Sequence, residues 1–376
     1  MSGKHTPPPI AVAYTVEQCW HDSPGGTAVA ALRIARELSA DPELARQVDL
    51  RLVAGKHPNP PLPPFAPTQP VAMLPLARPL LYEAWTRLNW PKVEAVTGQV
   101  DVAHATGLIP CGTSVPLVVT VHDIAFVHTP EKFSRHGVKV MTRSLDVTRR
   151  RADRVICSSQ ATFDDLVAHG FDGALVRHVP LGVDAAGASA DEVDAARSSH
   201  DLPERFVLFV GTIEPRKNLV RLVEAMAVLR SEGEDLPLVV AGADGWGEVR
   251  TEVESASAAT DVRFLGFVSD AELRGLYALA SVFAYPSERE GFGLPVAEAM
   301  AQGAPVVTSR GTSTEEVAGG SAVLVDPFDV ADIARGIATA IHQAPDLAEA
   351  GRRRAAELSW SRTAAATLDV YRELVT

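Results

Sequence analysis

The feature that most constrains this chain is a rhythm that runs twice along it. Short, almost continuously apolar, β-rich runs alternate with amphipathic segments. The first series is "IAVAYTV" (10–16), "VDLRLVAG" (48–55), "VDVAHATG" (100–107), "LVVTVHD" (117–123), "DRVICSS" (153–159) and "VRHVPLG" (176–182), with helical patterns such as "TAVAALRIARELSA" (27–40) between them. Strands this uniformly apolar are buried on both faces, which describes a parallel sheet covered by helices on each side. The rhythm breaks over 183–204, a small, polar and acidic stretch, and then resumes with "FVLFVGT" (206–212), a helix over 218–231, "LPLVVAG" (236–242), "VRFLGFV" (262–268), "SVFAYPS" (281–287), "PVVTS" (305–309) and "AVLVDP" (322–327). In "SDAELRGLYALA" (269–280), Ser269 stands three residues before Glu272, the spacing of a capping box ahead of an amphipathic helix.

The expectation is therefore an α/β protein of two doubly wound, Rossmann-like domains. The first spans 1–187, a linker follows over 188–204, the second spans 205–360, and a closing helix at 361–376 packs back on the first. A chain of 376 residues is long enough for two separate cores. Ligands of such sheets bind beyond the carboxyl ends of the strands, so a cleft between two facing domains is the expected site.

Composition narrows the function classes. The formal net charge of -12 argues against general nucleic-acid binding. The charge is uneven: residues 1–182 hold 18 Lys/Arg and 16 Asp/Glu, residues 183–376 hold 17 and 31, so the two domains should present different surfaces. Although 46% of residues are apolar, no apolar run reaches the roughly 18–20 residues needed to span a bilayer. The opening "MSGKHTPPPI" has no signal-peptide core. Cys19, Cys111 and Cys157 are far apart and lack C-x-x-C spacing, which fits a reducing cytoplasm and gives no support to a zinc site or a disulfide frame.

The chemistry concentrates in "EREGFGLPVAEAMAQGAPVV" (288–307). Glu290 falls in the loop at the carboxyl end of the strand "SVFAYPS". Gly291 and Gly293 let main-chain N–H groups converge, Pro295 suits the first turn of a helix, and the helix start adds unpaired donors and a positive dipole end. A phosphate fits such an entrance. Glu298, about one turn into the helix, supplies with Glu290 a second two-oxygen acceptor suited to sugar hydroxyls. A phosphorylated, sugar-like ligand follows. In "FVGTIEPRKNL" (209–219), Arg216 and Lys217 occupy the loop after another strand; one is a planar fork of donors and the other a compact charge, both apt for a diphosphate.

The string E-G-F-G-L-P-x-x-E-A-M-A-x-G resembles the E-x7-E element of the retaining glycosyltransferases of family 4, which have the two-domain GT-B fold. The resemblance implies that Glu290 contacts the donor sugar, that Glu298 binds the nucleotide ribose, and that the backbone of Phe292, Gly293 and Leu294 meets sugar hydroxyls and phosphate. G-T-x-E-P-R-K-N is a frequent form of that family's phosphate loop and carries over to Arg216 and Lys217; many members have an arginine directly after the glycine, where this chain has Thr212. The glycine-rich turn "PGGTAVAAL" (24–32) matches the family's loop near the donor phosphate, with Gly26 as the counterpart. His122, at the end of the run Leu117–Val121, corresponds to a histidine near the transferred sugar, and Asp123 to an orienting or acceptor-side residue. The turn "FLGFV" (264–268) is where the family holds the nucleobase, partly through main chain near Val268.

The resemblance implies a nucleoside diphosphate sugar as co-substrate, GDP-mannose as the first expectation with UDP- or dTDP-sugars open, and transfer of a hexosyl group to a saccharide, lipid-linked or small-molecule acceptor. No D-x-D occurs, so no metal cofactor is expected. Two rivals stand beside this reading: a nucleotide-sugar epimerase on the same fold, and a non-catalytic nucleotide-sugar or glycan binder. Residues 76–90 place Leu76, Leu80, Leu81, Trp85 and Leu88 near one helical face, and residues 132–154 carry Lys132, Arg135, Lys139, Arg143, Arg149, Arg150, Arg151 and Arg154. These describe either a peripheral contact with an anionic membrane at the inner face of the cell or core packing beside a solvated face.

Overall fold

The structure is a computed structural model that describes residues 8–21, 24–245, 247–257 and 260–375. Residues 1–7, within the opening read above for a signal sequence, lie outside it. The chain divides into two compact units, residues 1–182 with 360–376, and residues 183–359.

Among the described residues, the first unit contains β1 (Ile10–Thr15), β2 (Val48–Ala54), β3 (Val71–Met73), β4 (Val102–Ala105), β5 (Leu117–Thr120), β6 (Arg154–Cys157) and β7 (Val176–His178). They form one sheet in the order β3-β2-β1-β4-β5-β6-β7, and every pair is parallel. The second unit contains β8 (Val207–Val210), β9 (Leu238–Ala241), β10 (Val262–Gly266), β11 (Val282–Tyr285), β12 (Val306–Ser309) and β13 (Val323–Val325), ordered β10-β9-β8-β11-β12-β13 and again parallel throughout. In each sheet the chain first winds outward from its opening strand in one direction and then returns to wind in the other. The two switch points lie between β1 and β4 and between β8 and β11, and such points are where doubly wound sheets open a crevice. Both strands at the second switch point are wholly buried, as their uninterrupted apolar runs require.

The first sheet is closed by helices at its face. Ala28, Ala30, Ala31, Ile34, Ala35 and Leu38 form the buried stripe of helix Gly25–Ala40, recurring at three- and four-residue spacing. Helix Trp360–Val375 packs on that helix and on β1 and β4. Its Tyr371 hydroxyl lies 2.7 Å from His104 Nδ1, and Glu373 pairs with Arg154 and Arg177 at 2.7 Å. The last helix of the chain therefore belongs to the first unit.

The stretch 188–204, expected as a linker, is corrected by the structure. It is helical over Ala190–His200 and packs on helix Asp270–Leu279. Ser189 accepts from the Glu192 amide, and the Glu192 side chain returns to the Ser189 amide, closing a capping box that starts the helix. Ala196 is fully buried, and Gly275 lets the partner helix approach the Glu192 carbonyl so closely that a Cβ there would stand 2.4 Å from it. The Ser269–Glu272 capping box is formed as the spacing predicts.

The five apolar residues of 76–90 do not share one face. Leu81 and Trp85 are buried in the core of the first unit, whereas Leu80 and Leu88 are 65% and 71% exposed. Of the basic residues nearby, Arg87 and Arg143 pair with Glu83, Arg149 with Asp146 and Arg154 with Glu373. Among the described residues, no helix is long and apolar enough to cross a membrane.

Candidate functional site

The second unit gathers a charged cluster at its switch point. β8 ends at Val210 and the chain turns through Gly211 into a short 3-10 turn, Pro215–Lys217. β11, its neighbour in the sheet, ends at Tyr285 and leads into Ser287, Glu288 and Glu290. Two loops far apart in the sequence thus leave the same edge side by side. They are stitched together by main-chain and side-chain contacts: the Glu288 amide donates to the Arg216 carbonyl at 2.9 Å, and Ser287 Oγ lies 3.1 Å from it. Asn218, buried and in the left-handed region at φ 64°, donates through Nδ2 to the carbonyls of Pro286 and Pro327, fixing the end of the cationic loop to the ends of β11 and β13.

Within this frame Glu290 is the hub. Its Oε2 lies 2.7 Å from Arg216 Nη1 and its Oε1 lies 3.3 Å from Lys217 Nζ. The Tyr285 hydroxyl donates to Oε1 at 2.7 Å and Ser287 Oγ donates to it at 2.9 Å. Arg216 is held by a second carboxylate, Glu214, at 2.7 Å, and by the Arg289 carbonyl at 3.0 Å. The side chains of Glu290 and Lys217 are 9% and 10% exposed. Burial alone would push the Glu290 carboxyl up. The charges of Arg216 and Lys217, with the hydrogen bonds from Arg216 and Tyr285, overcome it and hold the carboxyl at about 2. Glu290 is therefore ionised and acts only as an acceptor at neutral pH.

Beyond Glu290 the loop enters helix Leu294–Gln302 through Gly293. Gly293 has φ 103°, and a Cβ there would meet Thr314 Cγ2 at 2.7 Å, so only glycine fits. Ser313 Oγ donates to the Glu290 carbonyl at 2.7 Å and braces the same loop. Phe292 and Leu294 bury their side chains, leaving main chain as what they can offer a ligand. Pro295 sits in the first turn, where its missing N–H costs nothing. Glu298 is half-buried and accepts from the Tyr277 hydroxyl at 3.1 Å. Val268 lies just past β10, two strands from β8, beside Phe267, which is 63% exposed.

The other candidates belong to the first unit. His122 follows β5 at its carboxyl end. It is half-buried, its Nε2 lies 3.3 Å from the Thr106 carbonyl, and its own carbonyl accepts from Thr162 Oγ1 at 3.1 Å. Burial holds its imidazole below the ordinary value, against the pull of Asp123 and the bond to Thr106. Asp123 Oδ1 accepts from the Ala125 amide at 2.9 Å, so it shapes the turn that follows β5. Gly26 is exposed in the first turn of helix Gly25–Ala40.

Arg216, Lys217 and Glu290 are thus brought together with the entrance formed by Phe292, Gly293 and Leu294. Sequence reasoning missed Glu214, Tyr285, Ser287, Asn218 and Ser313. Glu214 and Asn218 stand inside the quoted phosphate-loop string, and Tyr285 was hidden because an aromatic residue at the end of an apolar strand reads as core. Among the described residues, no group of three or more His, Cys, Asp or Glu side chains is placed to hold a metal ion.

Residues 24–186 match the family model described as Glycosyltransferase Family 4, and residues 191–357 match that of Glycosyl transferases group 1. The chain is 32% identical over 267 residues to the O-antigen chain mannosyltransferase B of Escherichia coli, covering 68% of this chain and 70% of that protein. It is 36% identical over 290 residues to a D-inositol 3-phosphate glycosyltransferase of Salinispora tropica, covering 69% of this chain and 60% of the relative. It spans only 29% of the serotype-specific mannosyltransferase WbdA of Escherichia coli, at 31% identity over 60% of this chain. Among solved structures, Anabaena HepE, crystallised with UDP and glucose, superposes with a TM-score of 0.72 at 20% identity over 97% of this chain and all of that one. WaaG, a glycosyltransferase involved in lipopolysaccharide biosynthesis, superposes with a TM-score of 0.71 at 17% identity over 96% of this chain and 99% of that one. Two Rossmann-like units of parallel sheet, each matched by one of these family models, and a relative 32% identical over 68% of this chain place the chain in the family of GT-B glycosyltransferases.

Proposed function

We propose that this glycosyltransferase moves a hexosyl group, first of all mannosyl, from a nucleoside diphosphate sugar to a hydroxyl of a saccharide, lipid-linked or natural-product acceptor, with retention at the anomeric carbon and without a metal. The observation that carries the reading is the convergence of Arg216 and Lys217 on Glu290 at neighbouring strand ends of the switch point. Two cations beside an ionised acceptor and a helix entrance suit a diphosphate with its attached sugar. The mannosyl expectation draws on relatives named as mannosyltransferases, and GDP-mannose is the first donor to test, before UDP- and dTDP-sugars.

In this reading the bond between the anomeric carbon and the leaving phosphate oxygen breaks while the acceptor hydroxyl attacks from the same face. The acceptor proton passes to the departing oxygen of the diphosphate, and Arg216 and Lys217 stabilise the charge that develops there. Glu290 accepts hydrogen bonds from donor-sugar hydroxyls, Glu298 accepts from the ribose, and main chain at Phe292, Gly293 and Leu294 meets the phosphate and sugar. Main chain near Val268 holds the base. Gly26, His122 and Asp123 keep, as assignments to be tested, the donor-phosphate, sugar-side and acceptor-side roles that the resemblance gives them.

The test is a thermal-shift screen with GDP, UDP and dTDP, followed by a product assay in EDTA with the sugar nucleotide of the winning base, reading the anomeric configuration by NMR. Stabilisation by one nucleotide and a product of retained configuration are expected. Interconversion of the donor would instead establish an epimerase, binding without chemistry a glycan or nucleotide-sugar binder, and inversion or loss of activity in EDTA would refute the mechanism.

A further inference from the structure

Tyr285 is the last residue of β11 and is fully buried. Its ring stacks on Phe283 with centroids 5.7 Å apart and lies 5.8 Å from Phe209, and Thr308 Oγ1 donates to its main-chain carbonyl at 3.0 Å. A phenol anchored on three sides at the end of a central strand has little freedom to move. Its hydroxyl sits where the charged partners of the cluster meet. It accepts from Lys217 Nζ, whose ammonium also lies 5.0 Å from the ring centroid, and it donates to Glu290 Oε1 at 2.7 Å.

We propose that Tyr285 is a positioning residue of the donor site, whose hydroxyl bridges the Lys217 ammonium and the Glu290 carboxylate and aims each at its substrate group. The assignment rests on the donor-site reading given above. Lys217 Nζ and Glu290 Oε1 form a buried ion pair at 3.3 Å, and the Tyr285 hydroxyl engages both partners at once. The phenol does so with a fixed polarity. It has one proton, which goes to the carboxylate, so only its lone pairs face the ammonium. Burial, reinforced by the charge of Glu290, pushes the Tyr285 phenol well above its ordinary value, which keeps that proton in place. Lys217 thereby keeps donor capacity for an incoming diphosphate instead of turning it all to Glu290. Glu290 in turn has one oxygen toward the Tyr285 and Ser287 hydroxyls and the other toward Arg216.

Tyr285→Phe removes one oxygen and keeps the ring. Steady-state kinetics with the sugar nucleotide that the wild-type protein turns over, measured across pH, are compared with those of Phe283→Leu, which removes a ring contact and keeps the hydroxyl. Tyr285→Phe is expected to lower kcat about 10- to 100-fold, as loss of a hydrogen bond to charged groups implies, with the donor KM changed less than about threefold. The acid limb of its kcat profile moves to higher pH, since Glu290 loses a donor that holds its carboxyl low. Phe283→Leu is expected to lower Tm while kcat stays within about threefold. A Tyr285→Phe enzyme with kcat within about twofold of wild type and an unmoved acid limb overturns the assignment, as does an equal loss of kcat in Phe283→Leu. An inactive wild-type protein that binds none of GDP, UDP and dTDP overturns the donor-site reading and takes this assignment with it.

Discussion

Replacing His104 by glutamine should flatten the acid dependence of the first unit's stability, by an amount the structure allows to be worked out. His104 is almost wholly buried on β4, with Nδ1 2.7 Å from the Tyr371 hydroxyl and Nε2 2.8 Å from Thr120 Oγ1. One of these hydroxyls must donate and the other accept, because a neutral imidazole has one of each role. Burial, assisted by neighbouring His122, holds the imidazole at about 3. In the unfolded chain it titrates near 6.5, as any exposed histidine does. The folded pKa is therefore depressed. The unfolded chain gains a proton below about pH 6.5 that the folded chain refuses until about pH 3, so stability is lost as the pH falls through that window and is unaffected above it. Between pH 7.5 and pH 5 the loss from this one group is about 2 kcal/mol, worth roughly 4–8 °C in Tm for a unit of this size. Glutamine offers a donor and an acceptor but does not titrate, so whatever it costs in packing is the same at both pH values. Four of the five tryptophans, Trp20, Trp85, Trp90 and Trp360, lie in the first unit, which makes tryptophan fluorescence during urea unfolding report mainly on it. The wild-type and His104→Gln curves should diverge as the pH falls. Parallel curves would mean that His104 accepts its proton in the folded state, and the account of this buried contact would be wrong.

Other outcomes follow from the second unit. Lys217→Ala should lower kcat by about 100-fold or more, since it removes a cation from developing charge, and a product assay with the preferred donor reads this directly. Glu298→Ala should weaken nucleotide binding about tenfold, the value of one charged hydrogen bond, as measured by calorimetric titration. Ser189→Ala should destabilise the second unit by about 1 kcal/mol through loss of a helix cap; an unchanged urea midpoint would return residues 188–204 to the status of a passive connector.

Much of the architecture was legible because a strand buried on both faces leaves a continuous apolar run. β8 and β11 are such runs, and their boundaries fall within two residues of the expected ones. β3 was missed because it is three residues long, only half-buried and at the edge of its sheet, so no period can develop in it. Helix Ala190–His200 was missed because its small, polar composition hides how little of it needs burying. Yet its Ser189–Glu192 spacing is the same signal that located the helix after Ser269. At the site, the loops bearing Arg216, Lys217 and Glu290 were legible from glycine, proline and charge placement. The pairing of Glu290 with cations 73 and 74 residues earlier was not, because adjacency of β8 and β11 arises from sheet order and not from sequence distance. The same holds for Leu80 and Leu81: adjacent residues of a helix point about 100° apart, enough to separate burial from exposure, and a list of apolar residues does not say where the core lies.

The final helix reverses the usual schedule of synthesis. Domains of a growing chain generally fold in the order in which they are made. Here residues 183–359 form an uninterrupted block whose partners have all been made by the time its last helix emerges. The first unit, although translated earlier, lacks the cover over β1 and β4 and the hydroxyl that meets His104 until residues 360–375 follow. On the ribosome the second unit can thus mature while its predecessor still lacks its last helix.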